Sequence, residues 1–86
     1  MAAVQKCRFS HPLYKTFYEG EFSTEKSFKE IQKELIEAGF IEAKKGGYHF
    51  IFEDRLCKLG AALGDYVPEG VECMDIRIHG LLVILT

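Results

Sequence analysis

The sequence predicts a small α+β domain of ferredoxin-like type, in which two helices cover one face of an antiparallel sheet. Three observations predict it. Apolar and polar residues alternate at period two around Cys7, Phe50 and Ile76, as they do in half-buried strands. Apolar residues recur at helical spacing twice, after Ser23 and after Glu53. A chain of 86 residues, 48% hydrophobic and 28% charged, has room for one small core and enough apolar surface to collapse into it, so residues 1–86 read as a single domain.

Taken in order, Lys6-Cys7-Arg8-Phe9-Ser10 forms the first strand, with Cys7 and Phe9 toward the core. His11-Pro12 interrupts it, because proline lacks the N–H that a central strand donates. The connection that follows is rich in aromatics, Tyr14, Phe17, Tyr18 and Phe22, which pack down and give part of it the character of a second strand. Ser23-Thr24-Glu25 has the hydroxyl and the acid of a helix start, and the helix runs to Ala38. Phe28, Ile31, Leu35 and Ala38 share its inner stripe, while Lys29, Lys33 and Glu37 point outward. Glu30 and Glu34 pair with Lys33 and Lys26 on that solvated side. Gly39 stops the helix, and Phe40-Ile41 opens a strand.

Lys44-Lys45-Gly46-Gly47 reads as a hairpin tip leading into a strand from Tyr48 to Phe52. Glu53-Asp54 begins the second helix, with Leu56, Leu59 and Leu63 on one stripe and Gly64 as its terminator. After the turn Val67-Pro68-Glu69-Gly70, a strand from Val71 to His79 alternates Met74, Ile76 and Ile78 with Cys73, Asp75, Arg77 and His79. Gly80 breaks the alternation, and Leu81–Leu85 is a short apolar terminal strand. Two helices on one side leave the other side of the sheet bare, which predicts a homodimer in which the last strand adds to the partner's sheet edge.

Eleven Lys plus Arg against thirteen Asp plus Glu give a formal charge of −2, so nucleic-acid contact needs a local basic patch rather than whole-molecule attraction. Cys7, Cys57 and Cys73 are an odd number with no C-x-x-C spacing; a disulfide framework and a zinc site are not expected, and the thiols read as small buried residues in a reducing compartment. The N-terminus lacks a signal-type apolar run and no stretch is long enough to span a bilayer, so the chain is expected to be cytoplasmic and without a membrane partner. No phosphate-loop, H-E-x-x-H or metal-ligand pattern is present, and no cofactor is expected.

A second architecture uses the same residues. If Lys6–Phe9 and Thr16–Phe22 pair as a hairpin ahead of the helix, with Leu63-Gly64-Asp65-Tyr66 as the turn before the last strand, the chain is a ubiquitin-like β-grasp that acts by surface recognition. It lacks a terminal Gly-Gly, so conjugation is not expected. The two architectures diverge on whether Arg55–Leu63 is a packed helix and whether Phe17–Phe22 is a strand.

Ser27-Phe28-Lys29-Glu30-Ile31, the helix end at Ala38-Gly39-Phe40, Gly47-Tyr48 and Met74-Asp75-Ile76-Arg77-Ile78 together resemble the virulence-associated protein D (VapD) family, which is structurally related to the CRISPR-associated Cas2 proteins. The resemblance spans about Ser27 to Ile78 and implies a ferredoxin-like dimer, in some members a toxin-type endoribonuclease, in a toxin–antitoxin or phage-defence setting with RNA or an antitoxin as partner. It also implies an aspartate at the end of the first strand, near the dimer axis. Here that position is Ser10, followed by His11, and serine cannot supply the anionic oxygen that a divalent ion or a general base requires. The chain is then either a non-catalytic relative or one in which His11, facing its symmetry mate or Tyr14, serves as acid and base for metal-free RNA cleavage. The catalytic candidates are Ser10, His11 and Tyr14. The candidates for phosphate contact are Lys44 and Lys45, beside two glycines that permit close approach, and Arg77; against these stand a solvated hairpin tip and an exposed strand face with cross-strand ion pairs. His49 is expected to be partly buried beside the hairpin.

Overall fold

The structure is a computed structural model and describes residues 3–43 and 47–80. Alternation builds most of the sheet: β1 (Val4–Ser10), β2 (Phe17–Ser23), β3 (Tyr48–Phe52), β4 (Arg55–Cys57) and β5 (Cys73–Gly80), with α1 (Phe28–Glu37) between β2 and β3 and a single 3-10 turn at Leu63–Asp65. The strands lie in the order β2-β1-β5-β3-β4. β1 and β5 run parallel at the centre, and the other neighbouring pairs are antiparallel. One helix against a mixed sheet with parallel central strands is the β-grasp arrangement. It replaces the expected ferredoxin-like fold, which requires an antiparallel sheet and two helices.

The inner face is set by Cys7 and Phe9 of β1, Phe22 of β2, Tyr48, Phe50 and Phe52 of β3, Cys57 of β4 and Met74, Ile76 and Ile78 of β5, closed by Phe28, Ile31 and Leu35 of α1. Its centre is a relay of rings. Phe9 meets Phe22 at 5.5 Å and Phe50 at 5.9 Å, both edge-on, and Phe28 meets Phe50 at 5.6 Å and Tyr66 at 5.5 Å. Such pairs add about 0.5–1.5 kcal/mol each beyond the area they bury. Gln5 is the one buried polar residue among those described, and its Nε2 donates to the Glu72 carbonyl at 3.1 Å, which satisfies the amide and pins the approach to β5 against β1.

Helix α1 starts later than the sequence suggests. Ser23 does accept a backbone N–H on its hydroxyl, from Glu25 at 3.2 Å, but the chain turns there, with Lys26 N donating to Ser23 O. Ser27 is the N-cap and accepts from Glu30 N at 3.2 Å. The two preceding orphan donors, Phe28 N and Lys29 N, reach the carbonyls of Ala61 and Leu59 at 3.1 and 3.0 Å. At the other end Gly39 adopts φ 78°, Gly39 N donates to Ile36 O and Phe40 N to Leu35 O, which is the Schellman closure that only a residue tolerant of positive φ makes at low strain. Lys26 pairs with Glu34 as expected. Phe40-Ile41 is not a strand; it is an irregular segment that buries Ile41 and leaves Phe40 half-buried.

The expected second helix is absent. Glu53 and Asp54 take φ 51° and 62°, so they form a two-residue hairpin turn that pairs Phe52 with Arg55. Leu56 then lies in β4 and is exposed, Leu59 is half-buried in a loop, and Leu63 alone of the three is fully buried. That loop is stapled to the start of α1: besides the two bonds above, Leu63 N donates to Lys26 O and Gly64 N to Thr24 O, each at 2.8 Å. Gly64 is therefore not a helix terminator. A Cβ there would stand 3.0 Å from the Thr24 carbonyl oxygen, so the staple needs a residue without a side chain. Residues 81–85, invoked above for a dimer, and Lys44 and Lys45 lie outside the described residues.

Candidate functional site

With one face committed to the core, the alternate residues of every strand define an outer face that nothing in the chain covers among the described residues. The register arranges them in rows across the sheet. Glu21, Lys6 and Cys73 form one row, and Glu19, Arg8 and Asp75 the next. A third row runs Phe17, Ser10, Arg77, Ile51 and Leu56, and it is apolar at both ends, with Phe17 51% and Leu56 56% exposed. His79 and His49 face each other beyond it.

The two guanidinium groups on this face, of Arg8 and Arg77, are held by neighbours. The Arg8 guanidinium carbon lies 3.8 Å above the Phe17 ring, and Arg8 Nε is 3.8 Å from Glu19 Oε1, too long for a hydrogen bond, which leaves that nitrogen buried and unbonded. Arg77 Nη2 donates to Asp54 Oδ1 at 3.1 Å. Because both partners of that pair are exposed, it orients the guanidinium more than it stabilises the fold. Between the β3–β4 turn and the start of β5 is an open hollow of about 400 Å³, walled by Ile51, Glu53, Asp54, Cys73, Asp75 and Arg77. Its wall combines both signs of charge with two β-branched residues, Ile51 and Val71.

Ser10 ends β1 on the outer face, opposite Phe17 on one side and Arg77 on the other. His11 and Tyr14 are close, with rings 4.9 Å apart, but Nδ1 of His11 accepts the backbone N–H groups of Leu13 and Tyr14 at 3.0 and 3.1 Å. The imidazole shapes the β1–β2 loop and also packs edge-on against Phe40. Tyr14 is 68% exposed at the loop tip. Ser10, His11, Tyr14 and Arg77 thus gather at one end of the sheet without a side-chain-to-side-chain hydrogen bond joining them among the described residues. Sequence reasoning missed the row of Phe17, Ile51 and Leu56 and the Arg8 stack. Placing Leu56 in a helix hid the row, and reading Glu53-Asp54 as a turn is the signal that exposes it.

Burial pushes the Cys7 thiol up to about 12, with the Cys73 thiol adding to the shift, and burial likewise raises Cys57. These are core groups, inert as nucleophiles. No group of three or more His, Cys, Asp or Glu among the described residues is placed to hold a metal ion. No described helix is long and apolar enough to cross a membrane.

No family model matches the chain, and no curated protein matches it. Solved structures do. The crystal structure of ATBAG1 in complex with HSP70 matches with a TM-score of 0.65 at 19% identity, over 86% of this chain and 38% of that one. A de novo design based on ubiquitin matches with a TM-score of 0.65 at 10% identity, over 87% and 85% of the two chains. The N-terminal ubiquitin-like domain of the 4931431F19Rik protein, solved in solution, matches with a TM-score of 0.65 at 10% identity, over 91% and 75%. The chain spans little more than a third of the ATBAG1 structure. At these identities the likeness is one of fold: the chain has a ubiquitin-like β-grasp fold. That finding overturns the ferredoxin-like architecture and conflicts with the VapD-like and Cas2-like reading, and nothing in the comparisons supports the RNA-binding, toxin–antitoxin role drawn from it.

Proposed function

We propose that the protein is a ubiquitin-like interaction module that recognises a protein partner through the outer face of its sheet. The observation that carries this is the row of Phe17, Ser10, Arg77, Ile51 and Leu56, which mixes exposed apolar side chains with a guanidinium already oriented by Asp54. Protein interfaces favour this composition, with apolar and Arg anchors ringed by polar groups. The rigid sheet fixes the row, so little ordering is lost on binding. The fold neighbours support recognition as the role, and one of them, ATBAG1, was solved in complex with HSP70, which makes HSP70 the first partner to test.

The test is binding to HSP70 and to proteins captured by the immobilised chain, comparing wild type with Leu56→Arg, Ile51→Arg and, on the opposite side of the molecule, Lys33→Glu. Loss of a captured protein with both sheet variants but not with Lys33→Glu supports the outer face. Retention by Leu56→Arg and Ile51→Arg alongside loss with Lys33→Glu moves recognition to the helix and overturns the reading.

A further inference from the structure

We propose that His49 and His79 form a two-imidazole chelate for a late first-row divalent cation, of the nickel, copper or zinc kind, at the seam of β3 and β5. The two residues are direct partners in the antiparallel register. Partners so placed project from the same face with Cβ atoms about 4.5–5.5 Å apart. That face is the outer one. His79 is exposed and follows buried Ile78, and His49 is half-buried between buried Tyr48 and Phe50.

The chemistry fits the spacing. A metal–imidazole bond is about 2.0–2.1 Å, so two rings on one ion bring their nitrogens to about 3 Å, within reach of side chains anchored that far apart. Imidazole nitrogen suits the late first-row cations and not calcium or magnesium. Both rings are available: neither side chain has a hydrogen bond, ion pair or ring contact with another described residue, whereas the remaining histidine, His11, has Nδ1 occupied by two backbone N–H groups. No third His, Cys, Asp or Glu among the described residues completes the site, so the other coordination positions fall to water. β5 is hydrogen-bonded on both sides, by β1 and β3, and the ladder holds the two histidines at a fixed separation. The second nitrogen is therefore presented at high effective concentration, which lifts affinity over a lone surface histidine by about tenfold or more. A bound cation would sit one row from Arg77 and Ile51, at the border of the proposed recognition surface but independent of it.

Nickel(II) titration of the full chain, with the thiols kept reduced, tests the site through the histidine ring signals in NMR spectra. His49 and His79 are expected to broaden together at substoichiometric nickel, ahead of His11. His49→Asn and His79→Asn should each weaken binding about tenfold or more, and the double variant should lose little beyond either single one, because one ring alone is no chelate. His11→Asn and Cys73→Ser should bind as wild type. Equal broadening of all three histidines, additive losses in the two single variants, or loss of binding in His11→Asn or Cys73→Ser overturns the proposal.

Discussion

The two faces of this sheet are made from the same strands by the same alternation, yet they are built on different physics. On the inner face Phe9, Phe28 and Phe50 are fully buried and meet at ring distances below 6 Å. On the outer face Arg8 stacks on Phe17, Arg77 pairs with Asp54, and Leu56 is left in solvent. The inner contacts are short, dry and close-packed, so each is strongly coupled to its neighbours. The outer ones are screened and loosely packed, so they can be exchanged for contacts with another molecule at small loss to the fold. Stability is concentrated on the inner side, and the outer side is the one left for the recognition proposed above.

The sharpest way to break this division is a matched pair of truncations. Phe50→Ala removes a ring that touches Phe9 and Phe28 and should destabilise the fold by about 3–5 kcal/mol in urea unfolding. Leu56→Ala, one strand away on the other side, should change stability by about 0.5 kcal/mol or less. Similar losses in the two variants would erase the distinction.

A smaller effect sharpens it through pH. Cys7 is an inner-face thiol whose pKa is raised from 9.0 to about 12 by burial. Below pH 9 both folded and unfolded chains keep the proton, so the thiol does not tilt the equilibrium. Above that, the unfolded chain releases the proton and the folded one holds it, so stability falls as pH rises toward the folded value, by about 1.4 kcal/mol per pH unit at the steepest. Urea midpoints at about pH 8 and about pH 10.5 should therefore drop more for wild type than for Cys7→Ala. Parallel drops in the two proteins would mean that Cys7 ionises as freely folded as unfolded.

The smallest expected effect lies at the β3–β4 turn. Asp54 supplies the carboxylate for Arg77 but sits at φ 62°, a conformation costly for a residue with a side chain. Because the carboxylate is almost fully exposed, its ion pair contributes little, and Asp54→Gly should leave the melting temperature unchanged or raise stability by about 0.5 kcal/mol. A clear loss would show that the outer-face pair carries stability after all.

The sequence makes some of this legible and hides the rest for identifiable reasons. The alternation of β5 is readable, because Met74, Ile76 and Ile78 alternate with exposed Asp75, Arg77 and His79, although the strand runs from Cys73 to Gly80 instead of from Val71 to His79 and Gly80 continues it. The inner stripe of α1 is readable except for exposed Ala38, which is its C-cap. The segment from Glu53 to Leu63 misleads because three leucines at helical spacing outweigh a turn that contains no glycine. What holds that segment is a set of backbone bonds to residues 24–29, which leave no local periodicity to detect. Phe17–Ser23 is a weak strand signal because Phe22 is its one buried residue. The β-grasp alternative needed both corrections together. Arg77 was legible as an outward residue, whereas its row with Ser10, Ile51 and Leu56 depends on the register of four strands, which single-strand alternation does not encode.

The parallel pairing of β1 with β5 has a consequence for how the chain comes into being. The first strand waits for a partner more than sixty residues downstream, with register running from Lys6 opposite Cys73 to Ser10 opposite Arg77. During synthesis, the β1–β2 and β3–β4 hairpins emerge as separate pieces, each with a sticky inner side, until β5 leaves the ribosome and zips them together. Every copy thus passes through a vulnerable interval that ends only once β5 has been made.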